Sequence, residues 1–224
     1  MKQLEIACFD LESALLAQKT GADRVELCAD MSVGGTTPTI GIIKQAREHL
    51  TIDLYVMIRP RGGNFVYSDI EFQQMKSEIE TIKKLRVNGF VFGILNEDKT
   101  INIEQNKVLV ELAKPFSSTF HRAFDEVLDY KKALEDAISC GFSTILTSGT
   151  FPNVMDGKEV LKQLVKQANN RIEIMPGGGL RSTNISALDE MVNANWYHSS
   201  AITDGSEIAN PEEITQLKNK LNLK

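Results

Sequence analysis

The chain has few cysteines, no long apolar run and no excess of positive charge, and each of these shortages excludes a class of protein. Three cysteines among 224 residues, Cys8, Cys28 and Cys140, are too few and too scattered for a disulfide framework. No stretch of about 18 uncharged apolar residues occurs, so we expect no membrane-spanning helix. The formal net charge of −5 argues against a nucleic-acid partner, because binding phosphate backbones needs concentrated positive charge.

The first residues also lack the features of an export signal. Glu5, Asp10 and Glu12 interrupt the apolar core that a signal peptide needs. We therefore expect a cytoplasmic protein with reduced thiols and no membrane partner. The apolar content of 42% and the charged content of 25% are those of an ordinary globular protein.

Short apolar runs alternate with stretches in which apolar residues recur at helical spacing, as in residues 72–82. Glycine follows three of the helical stretches, at Gly21, Gly89 and Gly141, and a helix often ends in a left-handed glycine. The predicted strands are LEIAC at 4–8, RVELC at 24–28, LYVMI at 54–58, GFVFGIL at 89–95, SSTFH at 117–121, STILTS at 143–148, RIEIMP at 171–176 and WYHSS at 196–200.

This alternation predicts a parallel sheet that is covered by helices. An open sheet with helices on both faces would satisfy the pattern, but eight βα units in about 200–250 residues is the usual size of a closed barrel. No linker or low-complexity tract divides the chain. We therefore predict the α/β class and a single-domain (β/α)8 barrel, the TIM barrel, over residues 1–224.

Polar residues follow the apolar runs, at the carboxyl ends of the strands, where such barrels bind their ligands. Arg59 and Arg61 flank a proline after strand 3 and would suit a phosphate or carboxylate. The glycines after strand 7 would let an anion approach the backbone. Alternatively, these glycines only make a turn and the arginines pair with Glu26 and other carboxylates. The further candidates for substrate binding are Arg122, Ser148, Gly177, Gly178, Gly179 and His198.

Charged residues interrupt the first two strands. Arg24 and Glu26 lie on the same side of strand 2, and the apolar residues between and beside them lie on the other. The charged side should therefore face the barrel interior, together with Glu5 of strand 1. Because buried carboxylates are costly unless they are paired, either Arg24 forms a structural ion pair or one carboxylate has a shifted pKa and acts as an acid or base.

His121 ends strand 5, and Asp125 follows four residues later. A histidine that a carboxylate orients would work as a general acid or base. The alternative is a histidine that only makes hydrogen bonds within the barrel rim. No lysine ends a strand and only Lys99 lies in a loop of this face, so we do not expect Schiff-base chemistry.

Two cysteines, Cys8 and Cys28, end strands 1 and 2, which neighbour each other at about 4.8 Å in a sheet. Thiolates suit Cu(I), and His198 on strand 8 would supply a third donor. Cysteines near barrel strands are, however, usually small core residues. Cys8 also alternates out of phase with Glu5, so it faces the interior only if strand 1 ends before it.

Seven motifs follow one another along the chain: GADRVELC, GGTTPT, MIRPRGGNFVYSD, TFHRAFD, ILTSG, MPGGG and HSS. In these motifs, over about residues 1–201, the chain resembles the CutC family of copper homeostasis proteins. The resemblance implies a cytoplasmic TIM barrel, often a homo-oligomer, and Cu(I) ligands that match Cys8 and Cys28. Many relatives carry a longer methionine-bearing stretch where this chain has residues 201–213, so we expect a more open site here.

Two functional hypotheses remain at this point. In the first, the partner is a copper ion, held by the two strand-end cysteines of a copper homeostasis protein. In the second, the partner is a small anionic metabolite, held by the arginines and the glycine loop and transformed by acid–base chemistry. The candidate catalytic residues of the second hypothesis are Glu5, Glu26, His121 and Asp125.

Overall fold

The computed structural model describes residues 2–222, in which eight strands alternate with eight α-helices. The strands are β1 (Gln3–Cys8), β2 (Arg24–Leu27), β3 (Asp53–Met57), β4 (Gly89–Phe92), β5 (Ser117–Phe120), β6 (Thr144–Thr147), β7 (Glu173–Pro176) and β8 (Trp196–Ser199). The helices are α1 (Leu11–Lys19), α2 (Ile40–His49), α3 (Asp69–Lys83), α4 (Ile103–Ala113), α5 (Tyr130–Cys140), α6 (Lys158–Ala168), α7 (Ile185–Val192) and α8 (Pro211–Asn222). Two 3₁₀ helices, Met31–Val33 and Arg122–Glu126, follow β2 and β5.

The strands form one parallel sheet that closes on itself. Each strand pairs with its sequence neighbours, and β1 pairs with both β2 and β8. A parallel bridge between Gly177 and His198 joins β7 to β8 and completes the ring. The predicted (β/α)8 barrel and its eight strands are confirmed. β4 is shorter than its apolar run, because the amides of Ile94 and Leu95 donate outside the sheet, to the Asn106 side chain and to the Phe65 carbonyl.

Two of the three predicted helix-ending glycines are confirmed. Gly21 and Gly141 have φ angles of +97° and +91° and follow α1 and α5. The prediction for Gly89 is wrong, since this residue lies inside β4 and α3 ends earlier. A Cβ atom at Gly89 would lie 2.6 Å from the ring of Tyr55. The glycine is therefore explained by crowding inside the barrel and not by a helix end.

The apolar core has two parts, one on each side of the sheet. Most buried apolar side chains pack between the strands and the helices. A smaller cluster of Cys28, Tyr55, Met57 and Val91 lies apart from it, inside the barrel. Glu5 and Arg24 are buried there too, as strand alternation predicted. Among residues 2–222, no helix is both long and apolar enough to cross a membrane.

Candidate functional site

A cavity of about 290 Å³ opens at the carboxyl ends of the strands. Loops that follow β2, β3, β5, β7 and β8 surround it, so residues far apart in the sequence share one wall. A wider groove of about 1060 Å³ runs along α3 and α4, but the strand-end polar residues do not line it. The chemically active side chains that line the smaller cavity are Glu26, Cys28, Met57, Arg59, His121, Arg122, Arg181 and His198.

An ion pair lies below this cavity, deep in the barrel. Arg24 Nε donates to Glu5 Oε2 at 2.5 Å, and both side chains are almost fully buried. The guanidinium lies 4.1 Å from the ring centroid of Tyr55 and 3.9 Å from that of Trp196. Burial raises the pKa of Glu5, but the charge of Arg24 and a hydrogen bond from His198 outweigh it and hold that pKa below its ordinary value. Glu5 is therefore an ionised structural carboxylate.

His198 connects Glu5 to a second carboxyl group. Its Nδ1 lies 2.8 Å from Glu5 Oε1, and its Nε2 lies 3.8 Å from Glu26 Oε2. Because Glu5 is ionised, Nδ1 donates to it and Nε2 is left facing Glu26. Burial lowers the pKa of His198, but the two carboxylates outweigh that effect and raise it above its ordinary value. We call Glu5, His198 and Glu26 the carboxylate–imidazole relay.

Glu26 is the member of the relay that borders the cavity. Its Oε1 is buried and makes no hydrogen bond of normal geometry within residues 2–222, although the thiol of Cys28 lies beside the carboxyl group. Burial raises the pKa of Glu26 to about 7, although the charge of His198 acts in the opposite direction. A carboxyl group with a pKa near neutrality gains and loses a proton readily at the pH of the cell. Glu26 is thus the best-placed group for proton transfer.

His121 lines the same cavity, but its environment differs from the predicted one. The prediction that Asp125 orients it is wrong, since the ring instead accepts a hydrogen bond at Nδ1 from the amide of Ala123, at 3.3 Å. Burial, assisted by the charge of Arg59, lowers the pKa of His121 to about 3. The imidazole is therefore neutral and too weak a base for the general-base role that the sequence indicated.

Asp125 joins the loop after β5 to the loop after β6. Its carboxylate accepts from Thr147 Oγ1 at 2.5 Å and from the amides of Ser148 and Thr150 at 2.9 and 3.1 Å. Arg122 Nε donates to it at 2.8 Å. Asp125 and Ser148 are absent from the cavity wall. They hold the two loops together, and the structure does not bring them to the cavity with the other predicted site residues.

Arg59 lies in the cavity wall, yet carbonyl groups occupy its terminal nitrogens. Nη1 donates to the carbonyls of Val33 and Gly35, both at 2.8 Å, and Nη2 donates to that of Gly63 at 3.0 Å. Within residues 2–222 no carboxylate forms an ion pair with it. The side chain therefore fastens the loops after β2 and β3 together and leaves a positive charge beside the cavity.

Arg61 does not line the cavity, so the structure does not place it beside the other predicted anion-binding residues. Its Nε donates to Glu71 Oε1 at 2.5 Å, and its Nη2 donates to the carbonyl of Val66 at 2.7 Å. The guanidinium also lies 5.2 Å from the ring centroid of Tyr67. As the alternative from the sequence proposed, Arg61 pairs with a carboxylate, but the partner is Glu71 and not Glu26.

Gly178, Gly179 and Arg122 lie together on the opposite wall of the cavity. The two glycines have φ angles of +111° and +70°. The Gly178 amide takes part in the bridge to β8, whereas the Gly179 amide has no acceptor within residues 2–222. The guanidinium of Arg122 lies over Gly178, where a Cβ atom would be 3.0 Å from its Cζ. Gly177 belongs to the ring-closing bridge and does not line the cavity. Backbone amides beside a guanidinium favour phosphate or carboxylate.

The thiols of Cys8 and Cys28 do not point to a common centre. β1 continues through Cys8, whose side chain packs in the core on the helix side, whereas Cys28 belongs to the cluster inside the barrel. Burial, with help from nearby carboxylates, raises the pKa of both thiols well above their ordinary value. Within the described residues no group of three or more histidine, cysteine and acidic side chains is arranged to hold a metal ion.

Arg181 also lines the cavity, although the sequence did not single it out as a site residue. Its Nη2 donates to the carbonyl of Ile202 at 2.8 Å, and its Nη1 lies 3.3 Å from Ser199 Oγ. It thereby connects the loops after β7 and β8. Its position two residues after the triple glycine would have indicated a place in the site, because the loop after strand 7 was predicted to belong to it.

Comparisons with known proteins agree on one family. The model of the CutC family matches residues 2–203. A copper homeostasis protein cutC homolog of Homo sapiens is 42% identical over 198 residues, which cover 88% of this chain and 72% of the human one. A family protein CutC of Parabacteroides distasonis is 45% identical over 199 residues, covering 88% and 82% of the two chains.

Solved structures give the same result. A putative copper homeostasis protein CutC from Streptococcus agalactiae has a TM-score of 0.86 at 36% identity, over 91% of this chain and 100% of that one. Phosphoribosyl anthranilate isomerase from Thermotoga maritima has a TM-score of 0.65 at 15% identity, over 98% of each chain. The second likeness shows the barrel fold alone.

Proposed function

Because the chain belongs to the CutC family, we propose that it acts in copper homeostasis, the process for which its human and mouse relatives are named. We propose the cytoplasm as its compartment, in keeping with three free, buried cysteines. The chemistry that the geometry supports best is proton transfer to and from a small anionic molecule bound in the cavity. The buried Glu26 oxygen that makes no hydrogen bond of normal geometry, beside an imidazole that Glu5 orients, carries this proposal.

In this function each part of the site has a separate task. Arg24 keeps Glu5 ionised, and Glu5 holds the Nδ1–H of His198, so that Nε2 is presented to Glu26. A proton taken from the ligand passes to Glu26, whose carboxylate faces the imidazole of His198, and Glu26 returns it after the reaction. The anionic end of the ligand lies against Arg122 and the Gly179 amide on the opposite wall.

Arg122→Ala is expected to weaken the binding of inorganic phosphate by about tenfold to a hundredfold, because it removes a charge-assisted hydrogen-bond donor. Isothermal titration calorimetry at pH 7 measures the effect. Arg61→Ala is the matched control, since it removes the same charge outside the cavity. We expect it to leave the affinity nearly unchanged. An equal loss in both variants would mean that only the overall charge matters, and would remove the proposed anion-binding surface.

Cu(I) binding through Cys8 and Cys28 is the second candidate. Cys28 lines the cavity close to Met57, so two soft sulfur atoms border the same space, and Cu(I) prefers such donors. The amide of Cys28 also donates to the carbonyl of Cys8 at 2.9 Å, which keeps the two residues adjacent. The side chain of Cys8 nevertheless faces the helices. Joint coordination therefore requires the end of β1 to rearrange.

The reduced protein is expected to bind Cu(I), and Cys28→Ser is expected to weaken that binding by about tenfold or more, because a thiolate is its strongest soft donor. Cys8→Ser should have a much smaller effect, and Cys140→Ser, on α5, should have none. Competition with a Cu(I) chelator under anaerobic conditions measures all three. Equal losses in the Cys8 and Cys28 variants would show that β1 opens, and unchanged affinity in all variants would eliminate the copper site.

A further inference from the structure

The ring of His121 is held in one tautomer by the backbone next to it. The amide of Ala123 donates to Nδ1, at the start of the 3₁₀ helix Arg122–Glu126. A backbone N–H can only donate, so Nδ1 must carry a lone pair, and the single proton of the neutral imidazole is on Nε2. The very low pKa of His121 is in keeping with this neutral form.

Neighbouring groups also prevent the ring from turning. Its centroid lies 4.8 Å from that of Phe65 and 6.1 Å from that of Phe120. On another side lies Gly93, where a Cβ atom would be only 2.8 Å from Nδ1. The direction of the Nε2–H bond is therefore set by packing and does not depend on a ligand.

Nε2–H of His121 has no acceptor among residues 2–222, although the side chain is only 3% exposed. Arg59 Nε, on the same wall, is a second buried donor that makes no hydrogen bond of normal geometry, although the Tyr67 side chain lies beside the guanidinium. Both side chains contact the ring of Phe65. Buried donors are rarely left unpaired in folded proteins, and those that are call for an explanation. This wall of the cavity offers donors and lacks an acceptor, whereas Glu26 across from it has an oxygen without a hydrogen bond of normal geometry.

We propose that His121 is a neutral hydrogen-bond donor of fixed tautomer, and that the bound molecule presents a carbonyl oxygen to it. The inference rests on the proposed function, because it concerns the same cavity and names the class of substrate. The ligand is a small carbonyl compound with a phosphate or carboxylate at one end. It carries an acidic C–H bond next to the carbonyl group, and that bond faces Glu26.

The corresponding reaction is an enolisation. The carboxylate of Glu26 removes the proton from the carbon beside the carbonyl group, and the C–H electron pair forms a C=C bond. The carbonyl π electrons move onto oxygen, where the N–H groups of His121 and Arg59 stabilise the negative charge without giving up their protons. Return of the proton from Glu26 to the enolate completes the step. No oxidant, reductant or further reactant is needed.

The first test is nuclear magnetic resonance of protein with ¹⁵N-labelled histidine. We expect His121 to show a protonated Nε2 and an unprotonated Nδ1, without titration between pH 8 and pH 5. His49, which is exposed on α2, serves as the internal reference. A protonated Nδ1 at residue 121, or a change of its charge in this range, would overturn the inference whatever the ligand is.

The second test compares two probes that differ at one carbon, dihydroxyacetone phosphate and 3-hydroxypropyl phosphate, which has a CH₂ group in place of the carbonyl group and therefore no acceptor there. We expect the wild type to bind the ketone about threefold to tenfold more tightly, the range for one neutral hydrogen bond. His121→Phe should remove this preference, and His121→Gln, which keeps an N–H near the same place, should retain most of it. Melting temperatures establish that both variants fold.

The outcomes separate this inference from the proposed function. Phosphate binding that depends on Arg122, together with equal affinity for the two probes, would overturn the role of His121 and leave the proposed function standing. A preference for the ketone that survives in His121→Phe would have the same meaning. If neither probe nor inorganic phosphate binds, the proposed function fails and the inference fails with it.

Discussion

Replacement of Arg24 by alanine is expected to lower the free energy of unfolding by about 3–5 kcal/mol, because it leaves a buried carboxylate without its counter-charge. Glu5 is fully buried, and within residues 2–222 its carboxylate accepts hydrogen bonds from Arg24 and His198 alone. The variant also removes the guanidinium that packs between the rings of Tyr55 and Trp196. Urea unfolding at pH 7 measures the loss.

Two further variants identify the cause of that loss. In the double variant Glu5→Gln, Arg24→Met no charge is left unpaired, so we expect it to recover a large part of the stability. Arg171→Ala breaks an ion pair with Glu135 in which both side chains are nearly half exposed, and such solvent-screened pairs contribute little to stability. If Arg24→Ala lost no more stability than Arg171→Ala does, the Arg24–Glu5 pair would not be the electrostatic base of the site.

Glu26→Gln is expected to stabilise the protein at pH 8, by up to about 3 kcal/mol, and to have little effect near pH 4.5. In the folded state the pKa of Glu26 is raised from 4.5 to about 7, so folding favours its protonated form. That contribution is fully present below pH 4.5 and is lost as the pH rises through 7. Glutamine resembles the protonated group at every pH, so the variant does not lose this stability as the pH rises.

The control variant, Glu71→Gln, should change the stability at pH 8 in the opposite direction. Backbone and side-chain hydrogen bonds, from Ser68 and Arg61, lower the pKa of the accessible Glu71. Glu71→Gln should therefore destabilise the protein at pH 8, and the difference should vanish as the pH falls through the lowered pKa. Urea unfolding of both variants between about pH 3 and pH 8.5 tests the pair, because the Glu71 difference is lost only below its ordinary pKa of 4.5. If Glu26→Gln showed no dependence on pH, Glu26 would have an ordinary pKa and would lose its role in proton transfer.

The barrel and the content of its interior were predictable, because they depend on periodicity. Each apolar run of strand length became a strand, and the alternation in β2 placed Arg24 and Glu26 inside. The same alternation indicated that Cys8 would face the interior only if β1 ended before it, and β1 does not. Gly89 was misjudged, because a glycine that avoids Tyr55 looks the same in the sequence as one that ends a helix.

Partners within the site were less predictable, because loops have no period. Arg59 and Arg61 are two residues apart, yet one points into the cavity wall and the other onto the outside. The partners of Arg59 are carbonyl groups, which every residue carries, so no residue type announces them. His121 and Asp125 have the spacing of a catalytic pair, but the 3₁₀ helix between them turns the carboxylate toward the loop after β6.

Neighbouring loops at the carboxyl end of this barrel are joined in pairs by side-chain hydrogen bonds, and this limits which loops can be replaced independently by engineering. Arg59 fastens the loops after β2 and β3, Asp125 those after β5 and β6, and Arg181 those after β7 and β8. A graft that replaces one loop of a pair leaves the guanidinium or carboxylate of the other loop without its hydrogen-bond partner. Recombination of this scaffold should therefore cut between pairs and transplant two neighbouring βα units together.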